Sequence, residues 1–449
     1  MVSFYKPAKK SSRQASPKIL KKIHIDELDM QGQGVSTTHE PVLFVDGALP
    51  GETADVQVTQ SQKHVLKGKV KKLISLSPER QTPFCPHYAQ CGGCQLQHIS
   101  PQSALEQRQQ AMDAYWQRQL KLDALPWQPA ISGPRPAYRR KARLAVDARD
   151  PGKVRLGYRQ EGSKKIVDVT ECPILVPDLQ ALISPLRTLL QAHSGSRFIG
   201  HIHLLAGDNL CQVTLKATRD LSDTMLTAWQ SLAAEHHFNL VLLDARNQTH
   251  MLHQYGTLVC QTEADLTLSP EAEDFIQVNG PVNQQMIAQA MQWLDPQPQD
   301  VIADWFAGLG NFSLSLARRA KQVHAVEGVA SMVRKAHNNA QAQGITNMHC
   351  VHLDLSDEQR VREALSGEFT KMLLDPSREG AAQVCQQLAS TAIRQVLYVS
   401  CNPSSFTRDA GYLMNAGYRI DKISLIEMFP YTRHLEVMAL FSRPSDAGQ

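Results

Sequence analysis

Apolar residues recur along this chain with two different rhythms, and the change between them falls near Val282. From there onward, short apolar runs alternate with stretches of ten to fifteen residues at helical spacing, which predicts a doubly wound parallel sheet. The expected strands are residues 301–305, 322–326, 349–353, 371–374 and 395–399. Two more, at 422–426 and 436–441, complete seven.

Upstream the rhythm is that of small β structure. Residues 19–73 hold short alternating runs, such as Ala54-Asp-Val-Gln-Val-Thr and Leu66-Lys-Gly-Lys-Val, broken by turn signals at Gly32-Gln33-Gly34, Asp46-Gly47 and Pro50-Gly51. An OB-like barrel with a filled interior and a wet exterior follows, a type that often binds oligonucleotides. A cysteine-rich loop between Pro83 and Cys94 interrupts this pattern, and a helical stretch over residues 103–119 comes next. Residues 138–275 then mix strand-like runs with two helical stretches. The expected organisation is a multi-domain chain: a basic arm over 1–17, an OB-like barrel over 18–75, a central α+β domain over 76–275, and a doubly wound, Rossmann-like α/β domain over 276–449.

Composition narrows the class. A chain of 449 residues suits two or three cores, and 42% hydrophobic with 20% charged residues is ordinary for a soluble protein. No apolar run reaches the roughly 18 residues of a membrane span, and no signal-peptide h-region is visible, so a cytoplasmic protein without a membrane partner is expected. Nine cysteines, five of them scattered, speak for reduced thiols, metal ligation or catalysis rather than disulfides. The net charge of +4 is modest, but the basic residues cluster. Seven lie in residues 1–25 with no acidic one; Lys63, Lys67, Lys69, Lys71 and Lys72 crowd a second segment, and Arg135, Arg139, Arg140, Lys141 and Arg143 a third. Three such patches point toward nucleic-acid phosphates.

The candidate chemistry sits where strands of the doubly wound sheet should end. Asp304-Trp-Phe-Ala-Gly308-Leu-Gly310 places glycines at a tight strand-to-helix turn. Glu327, about 20 residues on, can accept hydrogen bonds from ribose hydroxyls, and Asp354 after the third strand can face an adenine. No phosphate-binding loop accompanies this adenosine pocket, which favours S-adenosylmethionine over a nucleoside triphosphate. Strands four and five end in Asp375-Pro-Ser-Arg378-Glu-Gly380 and Ser400-Cys401-Asn402-Pro403. Cys401 thus lies in a polar turn at the cofactor edge, where the helix N-terminus after Asn402-Pro403 is expected to lower its pKa. Glu436, at the start of the last strand, is a candidate base. Separately, Cys85-x5-Cys91-Gly-Gly-Cys94 and Cys172-Pro173 supply four thiols, a set that suits zinc or an iron-sulfur cluster equally well by spacing.

At these motifs the chain resembles the RNA uracil-C5 methyltransferase family, in which D-P-x-R-x-G, S-C-N-P and H-x-E recur in this order. The likeness covers roughly residues 18–442 and is strongest to the branch acting on a uracil-1939-type position of 23S ribosomal RNA. It implies that Cys401 attacks carbon 6 of the uracil, that carbon 5 of the resulting enolate is methylated, and that Glu436 removes the carbon-5 proton. Cofactor contacts are implied for Gln277, Phe306, Asn311, Glu327, Asp354 and Asp375. The resemblance further implies a 4Fe-4S cluster on Cys85, Cys91, Cys94 and Cys172, and an RNA-binding TRAM domain for the barrel. Ala307 departs from relatives that carry Cys in D-x-F-C-G, without touching the chemistry. A monomer is expected. An amino-methyltransferase would want D/N-P-P-Y/F in place of Asp375-Pro-Ser-Arg378, and a non-catalytic RNA-binding assembly factor would not need Cys401 and Glu436.

Overall fold

Strands Thr53–Ser61 and Val65–Ser75 form the longest hairpin of the N-terminal region, and their facing residues show how a barrel is filled. Ala54, Val56 and Leu66 point into a core with Ile25, Leu43 and Val45, while Lys67 and Lys69 stay exposed. Val56 pairs with Val70 but Asp55 pairs with Lys72, which leaves Lys71 as the extra residue of a bulge. Lys71 and Lys72 are exposed, as are Lys63, Lys67 and Lys69. Gly68 permits this close pairing, because a Cβ there would collide with Val56. The sheet runs in the order Ile19–His24, Thr53–Ser61, Val65–Ser75, Val42–Asp46, Gly34–Ser36, Glu27–Leu28. Its two edge strands are separated in sequence by only Ile25 and Asp26, so one stretch of chain serves both edges and the sheet curls into a barrel.

These coordinates are a computed structural model, which describes residues 18–444; the basic arm expected over 1–17 lies outside the described residues. By contact density the chain divides into two units: residues up to 82 with 98–111, and residues 83–97 with everything from 112 onward. The division falls inside the long helix Pro101–Leu120 and assigns the cysteine loop to the second unit. No described helix is long and apolar enough to cross a membrane.

The second unit contains two seven-stranded sheets. The first runs from Thr249–His253 through Phe238–Leu243, Cys211–Ala217, Ile199–Ala206, Lys141–Asp147 and Arg155–Arg159 to Ile166–Asp168. Its pairs are antiparallel except Cys211–Ala217 with Phe238–Leu243, because helix Asp223–Glu235 carries the chain back to the starting side. Leu144, Ile202, Leu204, Val213 and Leu240 pack with Leu179, Leu186 and Trp229 of the two helices to make one core. The Arg135–Arg143 segment does not form the phosphate-binding patch expected of it. Arg135 is paired with Glu427, Arg140 is buried with its Nε donating to the Gln277 carbonyl at 2.9 Å, and Lys141 bonds to the Asp274 carbonyl. Only Arg143 is exposed, since burying charged groups requires that they be spent on internal partners.

The last sheet has the order Met348–His352, Gln322–Glu327, Val301–Trp305, Lys371–Leu374, Gln395–Ser400, Glu436–Ser442, Arg419–Ile426. The first five strands are parallel and the final two form an antiparallel hairpin. The central strands Lys371–Leu374 and Gln395–Ser400 are accordingly almost wholly apolar, whereas Met348–His352 at the edge carries two histidines and is largely exposed. The strand order reverses between Val301–Trp305 and Lys371–Leu374, the switch point where open α/β sheets bind ligands at carboxyl ends. Two earlier segments join this core: the hairpin Cys260–Glu263/Leu266–Leu268 packs into it, and Trp127 and Ile131 bridge to Ile423 and Ile426 along its edge strand.

Candidate active site

Tight turns build one wall of the site. After strand Val301–Trp305, Phe306, Gly308 and Gly310 all have positive φ, at 65°, 56° and 94°. For Phe306 this conformation is uncommon, and it is held by the backbone N–H groups of Phe306 and Ala307, which both donate to the Val326 carbonyl at 2.9 and 3.1 Å. Glu327 closes the turn from the next strand. Its Oε2 accepts from the Gly308 N–H at 3.0 Å and its Oε1 from the Val329 N–H at 2.9 Å. Below the turn, Asp304 is buried against Ser313, and burial pushes its carboxyl up to about 7.

These groups open on a cavity of about 690 Å³, within the usual range for small-molecule sites. Its lining brings together Phe306, Asn311, Glu327 and Gln277 with Asp375, Cys401 and Glu436, and also with Cys85, Cys91, Cys94 and Cys172. Of the residues singled out by sequence, only Asp354 stands outside. It is exposed, two residues past the end of its strand, and its Oδ1 accepts from the backbone N–H and hydroxyl of Ser356 at 3.0 and 2.7 Å. Asn311 exchanges two amide hydrogen bonds with Asn283, each 2.9 Å, so its side chain is oriented before any ligand arrives. Gln277 presents the opposite case: its buried Oε1 has no partner, a vacancy that a ligand donor would fill.

Two acids and a thiol at the far wall hold their protons more tightly than usual. Asp375 is raised to about 7 by burial. Glu436, only 6% exposed, is raised to about 8 by burial and then by Asp375, and its Oε2 lacks a hydrogen-bond partner. Cys401 precedes helix Pro403–Asn415, whose N-cap Asn402 accepts from the Ser404 N–H at 3.0 Å. The expected lowering of its pKa is nonetheless not found. Burial, Glu436 and Asp375 push the thiol up to about 11, against the opposing effects of Arg378 and a backbone hydrogen bond. Arg378 in turn approaches His434 at 3.3 Å, and its carbonyl accepts from Asn402 Nδ2 at 2.8 Å.

The cysteine loop is folded by its own short bonds. Cys91 N–H donates to the His87 carbonyl at 2.8 Å, Gly93 N–H to Cys91 Sγ at 3.4 Å, and Cys172 N–H to Gln180 Oε1 at 2.6 Å. All four thiols are free, and burial raises each of them, Cys94 to about 12. Among the described residues no group of three or more histidine, cysteine, aspartate or glutamate side chains is disposed to hold a metal ion. The loop also grips the segment before Glu436: the N–H groups of Gln95 and Leu96 both donate to the Tyr431 carbonyl at 2.9 Å, and the Phe84 ring meets Tyr431 edge-on at 5.0 Å.

Sequence reasoning missed Phe275, an aromatic side chain 63% exposed that nevertheless lines the cavity. Its only signal was its place two residues before Gln277. An exposed ring at a cavity edge is a surface on which a nucleobase can stack.

Comparison with known proteins places this architecture. The family model described as tRNA (Uracil-5-)-methyltransferase matches residues 104–444, and the TRAM domain model matches residues 21–71. The chain is 47% identical over 421 residues to the 23S rRNA (uracil(1939)-C(5))-methyltransferase RlmD of Alteromonas naphthalenivorans, covering 94% of this chain and 89% of that protein. It is 37% identical over 444 residues to the protein of the same name from Vibrio vulnificus strain CMCP6, covering 99% and 100%. In fold it resembles the Pyrococcus abyssi tRNA (uracil-54, C5)-methyltransferase solved with S-adenosyl-L-homocysteine, with a TM-score of 0.72 at 21% identity over 94% of this chain and 99% of that one. A match of this extent shows that the chain belongs to the S-adenosylmethionine-dependent RNA (uracil-C5) methyltransferase family, with an N-terminal TRAM domain.

Proposed function

We propose that this enzyme, acting as a monomer, methylates carbon 5 of a uracil in 23S ribosomal RNA, the uracil-1939 position named for its relatives, through a covalent adduct with Cys401. The observation that carries the reading is that one cavity unites Cys401, Glu436 and Asp375 with the glycine turn and Glu327. That wall suits S-adenosylmethionine. Glu327 would hold the ribose, Phe306 and Asn311 would line its place, and the unpartnered Gln277 Oε1 would accept a donor from it. When bound, the cofactor supplies the methyl group. Asp354 is the weakest member of the proposed set, given its exposure and its bonds to Ser356.

The chain's own groups perform the rest. Carbon 5 of uracil is a poor nucleophile, so the Cys401 thiol gives its proton to solvent water, and its sulfur bonds to carbon 6 and places the negative charge on the carbon 5–carbon 4 enolate. After carbon 5 has gained its methyl group, Glu436 in its ionised form takes the remaining carbon-5 proton. The electron pair of that C–H bond restores the ring double bond, and the Cys401–carbon 6 bond breaks. A carboxyl raised to about 8 is basic enough for this task. Asp375, beside both, holds cofactor and uracil in place.

Four free thiols lining one wall of that cavity support the further reading that Cys85, Cys91, Cys94 and Cys172 bind a 4Fe-4S cluster. These thiols raise one another's proton affinity and so form a donor set that a cationic group would relieve, although no three of them are disposed to hold a metal ion in the present geometry. Four cysteine ligands leave no iron open, so the role assigned to the cluster is structural or RNA-contacting. The test of the main reading is to map 5-methyluridine in 23S rRNA from a strain lacking this gene, complemented with wild type or Cys401→Ala. The mark should return at one uracil only with wild type. Its presence in the deletion strain overturns the assignment.

A further inference from the structure

One end of the central sheet carries a groove of about 320 Å³ that the reaction does not use. Arg149, Arg155, Arg159, Lys164, Lys165 and Arg197 line it. All six are exposed. The single acidic residue in the lining, Asp147, is already engaged by Arg149 at 2.8 Å and Arg155 at 3.9 Å.

Strand register explains why so much like charge collects there. Ala145 pairs with Gly157 and with His201, and His201 pairs with Lys216. Arg143 lies two residues before Ala145, and Arg159 two after Gly157. Side chains alternate along a strand, so Arg143, Arg155, Arg159, His201 and Lys216 share one face, while Leu144, Leu156, Ile202 and Leu215 fill the core on the other. Among the described residues, the two helices next to this sheet in sequence, Pro177–Ala192 and Asp223–Glu235, both pack on the apolar side and leave the polar face to solvent. The field is strong enough to be felt by His201, whose pKa falls to about 4 through burial and the nearby Arg143, Arg159 and Lys216.

We infer that this groove is a second RNA-binding surface, which holds the phosphate backbone of the substrate RNA outside the catalytic cavity. Exposed like charges repel one another, and six around one concavity cost stability unless a polyanion neutralises them. A sugar-phosphate strand does so at regular spacing. Arg155 and Arg159, four residues apart on one strand, are separated by roughly 13 Å, about two phosphate steps. The recognition is of charge rather than base, so it adds affinity without choosing the uracil.

The inference rests on the proposed RNA substrate, and its test separates the two. The full-length protein and the variant Arg155→Ala/Arg159→Ala/Lys164→Ala/Lys165→Ala would be titrated with two RNAs over a range of salt. One is a 23S rRNA fragment with the flanking helices, the other a short stem-loop carrying the uracil alone. For the long fragment, the slope of log affinity against log salt should flatten by about three, and affinity should drop at least about tenfold near 0.15 M salt. The stem-loop should be bound and methylated as by wild type, and an unchanged circular dichroism melt would exclude misfolding. Lys164→Glu/Lys165→Glu should weaken the long fragment in the same way. An unchanged slope with both variants, while wild type methylates the RNA, overturns the groove alone. If the slope is unchanged but binding to protein-containing ribosomal particles is lost, the occupant is an acidic protein and the RNA assignment fails. A wild type that methylates neither RNA overturns the proposed function itself.

Discussion

Glu436 and Cys401 face the same cavity, and the carboxyl group of one raises the proton affinity of the other's thiol. Both groups are therefore neutral near pH 7, a resting state from which each must lose a proton before it can act. The proposed reaction uses them one after the other, and this ordering separates their variants.

Cys401→Ala should abolish methylation and leave cofactor binding nearly unchanged, because the thiol lies apart from the glycine turn. Glu436→Gln keeps the shape but cannot accept the carbon-5 proton, so methylated RNA should stay attached through Cys401. A denaturing gel would show a shifted protein-RNA band for Glu436→Gln, and for wild type with 5-fluorouracil at the target. Methylation that survives in Cys401→Ala, with no adduct in either case, would refute the covalent route.

The same carboxyl group links folding to pH. An unfolded glutamate ionises near 4.5, whereas Glu436 in the fold ionises at about 8. The folded state holds the proton more tightly, so this group's contribution to stability is full below about 4.5 and falls as pH rises to about 8. Glu436→Gln removes the penalty. The variant should gain on the order of 4 kcal/mol over wild type at pH 8 and almost nothing at pH 4.5, read from thermal melts. Equal melting differences at both pH values would contradict the neutral, buried carboxyl.

Glu327 serves the turn as well as the ligand. Glu327→Ala frees the Gly308 and Val329 N–H groups. Hydrogen bonds to a charged group contribute about 1.5–3 kcal/mol, so S-adenosylhomocysteine affinity measured by calorimetry should fall roughly ten- to a hundredfold. Asp354→Ala is the contrast and should cost less than about threefold. The reverse order would return Asp354 to the adenine site.

Anaerobically purified protein should be brown and carry about four irons per chain, and each of Cys85→Ser, Cys91→Ser, Cys94→Ser and Cys172→Ser should lower that number. Stoichiometric zinc without iron would rule out the cluster.

In the barrel, Glu52 is fully buried and accepts from Arg80, from the Leu49 N–H at 2.9 Å and from the Ser77 N–H at 3.2 Å. Removing one partner of a buried pair strands the other, so Glu52→Ala should destabilise the barrel by about 3–5 kcal/mol in denaturant titrations. A loss below 1 kcal/mol would show that Arg80 finds water instead.

The parallel strands were legible because burial leaves them mostly apolar: Val301–Trp305, with Asp304 as its one polar residue, and Lys371–Leu374 have the bounds their apolar runs suggested. Motifs at strand ends were legible for the same reason, since topology gathers those ends in one crevice. What a pattern cannot tell is where a side chain turns once its strand has ended, and Asp354 turns to Ser356. Nor does charge density reveal partners distant in sequence. Arg135 looked like a phosphate contact until Glu427, 292 residues away, came to meet it. The Cys401 thiol illustrates a balance of opposing effects: a helix start was visible in Asn402-Pro403, but the desolvation that outweighs it depends on packing.

The Tyr431 carbonyl takes two bonds from the cysteine loop, five residues ahead of Glu436. Damage to that loop has a route to the proton-removing step that never touches a reacting atom. Displacing the loop would remove both donors from the Tyr431 carbonyl and so loosen the chain leading into the last strand, where Glu436 stands first.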